Sequence, residues 1–215
     1  QNSYPILMER TPYSCQPYGD SIFPQRLGPN KMLMEDKYIF VYQDVRGRYK
    51  SEGEFEEMTP HKNIKKKNND VDESTDTYDT VDWLLKNIKY NNGNVGLYGI
   101  SYPGFYASAA LPNAHPAIKA VSPQAPVTDE FMGDDAYHNG AFFLLDNFSF
   151  MSYFGGERID SGKNYKPIFS ASYNDAYKYF LEIGNLKNTN SKDLFNNKVK
   201  IWNEYLLHDT YDDYW

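Results

Sequence analysis

Asn94-Val95-Gly96-Leu97-Tyr98-Gly99-Ile100-Ser101-Tyr102-Pro103-Gly104 is an apolar run that halts at a glycine-flanked serine and resumes as helix. It reads as a strand, a sharp turn and a helix N-terminus. That arrangement projects the serine hydroxyl out of a sheet, beside the backbone N–H groups of the following helix. Ser101 is thereby the candidate nucleophile. The spacing departs from plain Gly-x-Ser-x-Gly, because Pro103 stands two residues after the serine and the glycine comes one later, at Gly104. Gly99 supplies the small residue before the turn, and a proline in the first helical turn loses no hydrogen bond. The alternative is a plain surface turn between a strand and a helix.

Working outward, Tyr78, Val81, Leu84 or Leu85 and Ile88 recur at helical spacing, behind Asp72, Glu73 and Ser74 and ahead of Lys86 and Lys89. The pattern predicts an amphipathic helix that Asn91-Asn92-Gly93 ends. Residues 37–45 are aromatic and β-branched in nearly unbroken order, as in a strand covered on both faces. Tyr4–Thr11 is a shorter apolar run with prolines at its ends, again a buried strand. The segment between them is a loop dotted with glycine and proline, with a helical turn near Lys31–Glu35. After the serine, 105–111 is a helix rich in small residues and 118–123 a further strand. Strand, helix, strand, helix, strand in this rhythm implies parallel pairing by right-handed crossovers, an α/β sheet with helices on both faces. Past Val127 the chain turns aromatic, with helices expected at 174–183 and 199–207. The division expected is a sheet domain at 1–127 and a mainly helical cap, or lid, at 128–215.

The charge of −7 over 215 residues argues against nucleic acid or an anionic membrane surface as partner. Lys65, Lys66 and Lys67 form a short basic run of the kind that is usually a solvated loop. With 20 Tyr and 13 Phe the chain has ample material for a core. Cys15, the single cysteine, forms no disulfide within the chain and has no neighbour that would activate its thiol. No apolar run approaches the ~18 residues of a membrane span, and the first residues lack the basic and apolar regions of an export signal. A small molecule or peptide is left as the partner.

Three motifs stand in register: Pro5-Ile6-Leu7-Met8-Glu9-Arg10-Thr11-Pro12-Tyr13; Gln43-Asp44-Val45-Arg46-Gly47-Arg48 with Ser51-Glu52-Gly53-Glu54-Phe55; and Gly99-Ile100-Ser101-Tyr102-Pro103-Gly104. Their order and spacing resemble the serine hydrolase family of cocaine esterases, glutaryl acylases, X-prolyl dipeptidyl peptidases and α-amino-acid ester hydrolases, which has an α/β-hydrolase fold. The family's serine is typically followed by tyrosine, with the next glycine one place late. Met132-Gly133-Asp134-Asp135-Ala136-Tyr137-His138-Asn139-Gly140-Ala141-Phe142 and the stretch from Leu207 to Trp215 look most like the α-amino-acid ester hydrolases.

The resemblance implies that Ser101 is acylated, and that the Tyr13 hydroxyl and the Tyr102 backbone N–H form the oxyanion hole. It further implies that Asp135, or Asp134 if the register slips by one, belongs to an acidic cluster holding the substrate's α-ammonium group. The substrates implied are small esters, amides (including β-lactams with an α-amino side chain) or short peptides. The alternative substrates are those of a dipeptidyl peptidase or a general esterase or acylase. No metal or organic cofactor is called for. A periplasmic or secreted location and a homo-oligomeric state rest on the resemblance alone. On the residues themselves, Tyr13 also suits half-buried packing, Asp134 and Asp135 suit helix caps, and Arg46 suits an ion pair with Asp44.

A serine nucleophile needs a base, and α/β-hydrolases place it in the order Ser, Asp, His. His61 precedes the serine, His115 follows too soon, His138 falls in the cap and His208 has no strand before it. The family's catalytic aspartate and histidine are therefore expected beyond Trp215, with this stretch alone inactive. A reading of another class is a non-catalytic binding module on a hydrolase fold.

Overall fold

Ile6 and Met8 point the same way along one strand, as do Val95 and Leu97 along another, because side chains two apart share a face. Their pairing, Ile6 with Val95 and Met8 with Leu97, merges the two rows into one apolar surface. The computed structural model describes residues 2–67, 70–133, 135–158 and 166–215. Its main sheet has four parallel strands, β1 (Tyr4–Thr11), β2 (Ile39–Asp44), β3 (Asn91–Ile100) and β4 (Ile118–Gln124), in the order β2-β1-β3-β4. The connections carry α1 (Lys31–Glu35), α2 (Glu73–Asn87) and α3 (Tyr102–Ala109). Val81 and Leu84 of α2 and Ala107 of α3 pack on the surface made by Ile6, Met8, Val95 and Leu97. Each large apolar side chain buried there contributes about 1.5–3 kcal/mol.

The expected α/β class is the one found, with the helices unevenly shared between the faces. The β2-to-β3 and β3-to-β4 steps run in the same direction across the sheet, so right-handed crossovers lay α2 and α3 on one face. The β1-to-β2 step runs the other way and sends α1 to the opposite face, but α1 has five residues and buries none of them.

Asp72 caps α2, accepting from Thr75 N while the Thr75 hydroxyl contacts the cap backbone in return, a capping box. The buried stripe of α2 is Ser74, Thr77, Val81 and Leu84. Tyr78, expected on that stripe, is 41% exposed and packs against His115 instead. The helix also stops earlier than Asn91-Asn92-Gly93, which already belong to β3. Tyr90 makes the turn with φ of 63°. The Asn91 side chain still serves the helix end, donating to Leu85 O at 3.1 Å and Ile88 O at 2.6 Å.

Contacts divide the described chain into one unit of residues up to Val127 with Arg158, and a second of Thr128–Glu157 with 166–215. The second unit contains α4 (Leu144–Phe154), α5 (Ala176–Ile183), a 3₁₀ turn (Leu186–Asn190) and α6 (Lys200–Leu207) around Phe148, Met151, Phe195 and Trp202. The Trp202 indole N–H donates to Thr189 Oγ1 at 2.9 Å. It also holds an unexpected antiparallel hairpin, β5 (Tyr137–His138) and β6 (Ala141–Phe142). Its turn residues, Asn139 and Gly140, both have positive φ, the Asn-Gly hairpin signal present in the sequence. No described helix is long and apolar enough to cross a membrane.

Candidate active site

β3 delivers Ser101 to its C-terminal end, where the residue takes φ 61° and ψ −122° before α3 begins. A side chain in this left-handed region costs about 1–3 kcal/mol and persists only where its surroundings enforce it. Here Ser101 N donates to Gln124 O at 2.9 Å, and Ser101 O accepts from Phe105 N at 3.0 Å. The turn is so tight that a Cβ on Gly99 would fall 2.1 Å from Pro103 O. Ser101 itself is exposed, on a base of buried Tyr102, Pro103 and Gly104. Tyr102 opens α3, so its N–H belongs to the positive end of the helix dipole.

Tyr13 follows β1 by two residues and is half-buried. Its ring meets the Tyr102 ring edge-on, centroids 6.0 Å apart. Tyr102 in turn stacks on Tyr106 at 5.2 Å, and its hydroxyl accepts from Met58 N at 3.3 Å. The structure thus brings Tyr13, Ser101 and Tyr102 to one end of the sheet.

Behind them lies a charge network that the sequence did not suggest. Arg10, 4% exposed, donates to Glu73 Oε2 and Thr77 Oγ1, both at 2.8 Å, and to Gln43 Oε1 at 2.9 Å. Its guanidinium also lies 5.5 Å from the centre of the Tyr106 ring. Burial pushes the Glu73 carboxyl up, and Arg10 pulls it part of the way back. Arg46 does not pair with Asp44 as expected. It pairs with Asp76, through Nε at 2.9 Å and through Nη2. Asp44 accepts instead from Cys15 N at 2.8 Å and the Tyr18 hydroxyl at 2.6 Å. Cys15 is no candidate nucleophile, because burial first and Asp44 second push its thiol up to about 11. Lys65 is not merely solvated, since its ammonium pairs with Asp72 at 2.8 Å.

The four histidines are engaged elsewhere. His115 Nδ1 accepts from Ala117 N at 3.1 Å, and His138 stacks on Phe143. His208 sits between Asp212, at 2.7 Å, and Glu204, at 3.3 Å. Ser74, His61 and Asp72 group together, but His61 Nδ1 faces both partners, at 3.5 Å and 3.2 Å, and Ser74 donates to Asp72. A relay needs the two ring nitrogens to serve different partners, so this group is a brace at the start of α2.

Asp135 lies in the second unit, exposed, in a bend ahead of β5. It caps no helix. Its carbonyl accepts from Asn147 Nδ2 at 3.0 Å, and the same amide reaches Ala136 O and Phe143 O. Asp134 lies outside the described residues. Among the described residues no group of three or more His, Cys, Asp or Glu is placed to hold a metal ion.

Comparison with known proteins adds an independent line. The model of the X-Pro dipeptidyl-peptidase (S15) family matches residues 1–215. The chain is 28% identical over 171 residues to a cocaine esterase of Rhodococcus sp. (strain MB1 Bresler), a match covering 79% of this chain and 27% of that protein. Among solved structures it resembles an aminopeptidase from a marine sediment Thaumarchaeota archaeon, with a TM-score of 0.82 and 35% identity, over 100% of this chain and 35% of that one. It also resembles an α-amino acid ester hydrolase, with a TM-score of 0.80 and 34% identity, over 100% of this chain and 34% of that one. The chain thus spans about a third or less of the length of these relatives.

Proposed function

We propose, from the premise that the chain belongs to the X-Pro dipeptidyl-peptidase (S15) family, that it carries the nucleophile of a serine hydrolase acting on α-amino acyl esters and amides. The observation that carries this reading is Ser101, held with positive φ between β3 and α3, with the Tyr13 ring against its neighbour Tyr102. Ser101 Oγ attacks the acyl carbonyl and forms an ester to the enzyme as the alcohol or amine leaves. The Tyr13 hydroxyl and the Tyr102 N–H stabilise the oxyanion, each donor being worth roughly 10²–10³ in rate. Asp135, with Asp134 as the alternative, holds the substrate's α-ammonium group. Water completes hydrolysis, and an amine in its place gives acyl transfer. None of the four histidines, each held by other partners, is assigned as the base.

A second substrate, a peptide with a free N-terminus, is favoured by membership of the X-Pro dipeptidyl-peptidase family and by the likeness to an archaeal aminopeptidase. Both substrates present the same ammonium group. The protein expressed from its complete coding sequence, treated with a fluorophosphonate, tests the reading. Labelling at Ser101, lost in Ser101→Ala, supports a hydrolase, and no labelling leaves a binding module. Comparing phenylglycine methyl ester with its N-acetyl counterpart tests the ammonium site. Equal rates on the two would remove the role given to Asp135.

A further inference from the structure

We propose that Asp44 and Arg48 are positioning residues that set the Tyr13 phenol for oxyanion stabilisation by gripping the backbone on either side of it. The inference rests on the reading of Tyr13 given above. Register places the grip. Thr11, the last residue of β1, pairs with Asp44, the last residue of β2, and Val45 N donates to Thr11 O at 3.1 Å. Both strands therefore end level, and the chain leaving β1 passes over the turn leaving β2.

Ahead of Tyr13, Arg48 Nε donates to Pro12 O at 3.1 Å. Behind it, Cys15 N donates to Asp44 Oδ1 at 2.8 Å, and the Tyr18 hydroxyl donates to Asp44 Oδ2 at 2.6 Å. Tyr13's own N–H donates to Thr11 Oγ1 at 3.1 Å. Between the two grips Ser14 stands at φ 92°, a conformation rare for a residue with a side chain. Its hydroxyl shares a hydrogen bond with Tyr18 at 2.9 Å. Strained backbone next to a reactive group is a mark of imposed placement.

The clamp is rigid because it is buried. Asp44 is 3% exposed and Arg48 2%. The Arg48 guanidinium lies 4.7 Å from the Phe55 ring centre. Gly47 permits this, since its φ is 71° and a Cβ there would fall 2.2 Å from Phe55 N. The carboxylate receives a second backbone N–H, from Lys50 at 3.3 Å, and the Asp44 carbonyl accepts from the Ser51 hydroxyl. The Asp44-to-Ser51 stretch and the Arg10-to-Tyr13 stretch are thus two halves of one device. A 1 Å error in the placement of an oxyanion donor costs on the order of 10²-fold in rate.

The test is a double-mutant cycle in the protein expressed from its complete coding sequence. It reads kcat and KM on an α-amino ester, the rate of fluorophosphonate labelling at Ser101, and the melting temperature. Asp44→Asn and Arg48→Met are expected to lower kcat and the labelling rate at least tenfold with KM within twofold. In a Tyr13→Phe background the same changes are expected to cost less than twofold, because the group they position is gone. Ser14→Gly relieves the strain and frees the turn, so kcat falls while melting temperature holds or rises, an outcome that a purely structural brace does not give. If Asp44→Asn or Arg48→Met fails to fold, Tyr18→Phe and Ser14→Gly carry the cycle. Full, independent effects in both backgrounds overturn the proposal while leaving the Tyr13 reading intact. An unchanged rate in Tyr13→Phe alone, or no labelling at Ser101, overturns that reading and the proposal with it.

Discussion

The Tyr13 ring stands at 84° to the Tyr102 ring, edge to face, so the loop after β1 rests on the first residue of the helix after β3. Packing and hydroxyl are separable at this contact. Tyr13→Phe keeps the ring and removes only the donor. It is expected to lower kcat and fluorophosphonate labelling about 10²- to 10³-fold, with a melting temperature within a few degrees of the unmutated protein. A lowered melting temperature with unchanged kcat would assign the residue to packing instead.

Gly99→Ala tests the turn itself. The added methyl would meet the Pro103 carbonyl oxygen at 2.1 Å, and backbone has no rotamer to escape with. A loss of about 3 kcal/mol or more is expected, which at about 2–4 °C per kcal/mol lowers the melting temperature by about 6–12 °C, together with labelling at Ser101. Gly96→Ala is the control, since its methyl would meet the movable Leu7 Cδ1 at 3.2 Å. Equal melting temperatures for the two variants would show that the turn tolerates a side chain.

The strands, the turn and α2 were legible because each is written locally: apolar runs of strand length, a serine between glycines, a 3.6-residue stripe behind an acidic cap. What was not legible is which charge meets which. Arg46 and Asp44 are two residues apart, and the sequence pairs them; in the structure Arg46 reaches across to Asp76 on α2. Arg10 sits in an apolar strand, where its buried partner Glu73, 63 residues away, is invisible to any local pattern. Tyr13 owed its place among the candidates to the resemblance alone, since nothing local separates it from the other tyrosines. The hairpin at Asn139 and Gly140 carried its own signal but was masked by strands of two residues each.

Arg10 and Glu73 lend themselves to a cycle. Removing one member of a buried pair strands the other, at about 3–5 kcal/mol, whereas replacing both with apolar groups is often nearly neutral. Arg10→Met is therefore expected to destabilise by that amount at pH 7, and Arg10→Met with Glu73→Leu by less. Burial already holds the Glu73 carboxyl above its ordinary range, and losing Arg10 raises it further. A raised folded-state value means that the stranded group is tolerated at low pH, where it is protonated, and destabilises as the pH rises through that value. The Arg10→Met deficit, read as a urea midpoint, should shrink from pH 7 to pH 4. A deficit constant over that range would mean that packing, not charge, is what Arg10 supplies.

Asp72 carries the opposite sign, on the same helix. Burial pushes its carboxyl up, but Lys65, the Ser74 hydroxyl and the N–H groups of Lys62 and Thr75 outweigh this and hold it well below the usual carboxylate range. A depressed folded-state value gives stability that is present above about pH 4, the ordinary aspartate value, and is lost as the pH falls toward the folded one. Asn is as good a helix cap as Asp, so Asp72→Asn keeps the start of α2 and removes the charge that gathers the 61–65 loop. It is expected to cost about 2 kcal/mol at pH 7. As the pH falls below about 4 the urea midpoints of Asp72→Asn and the unmutated protein should draw together, since the unfolded chain takes up a proton at Asp72 that the folded one resists. Curves that stay parallel down to pH 2.5 would place the acid-sensitive contact elsewhere than at Asp72.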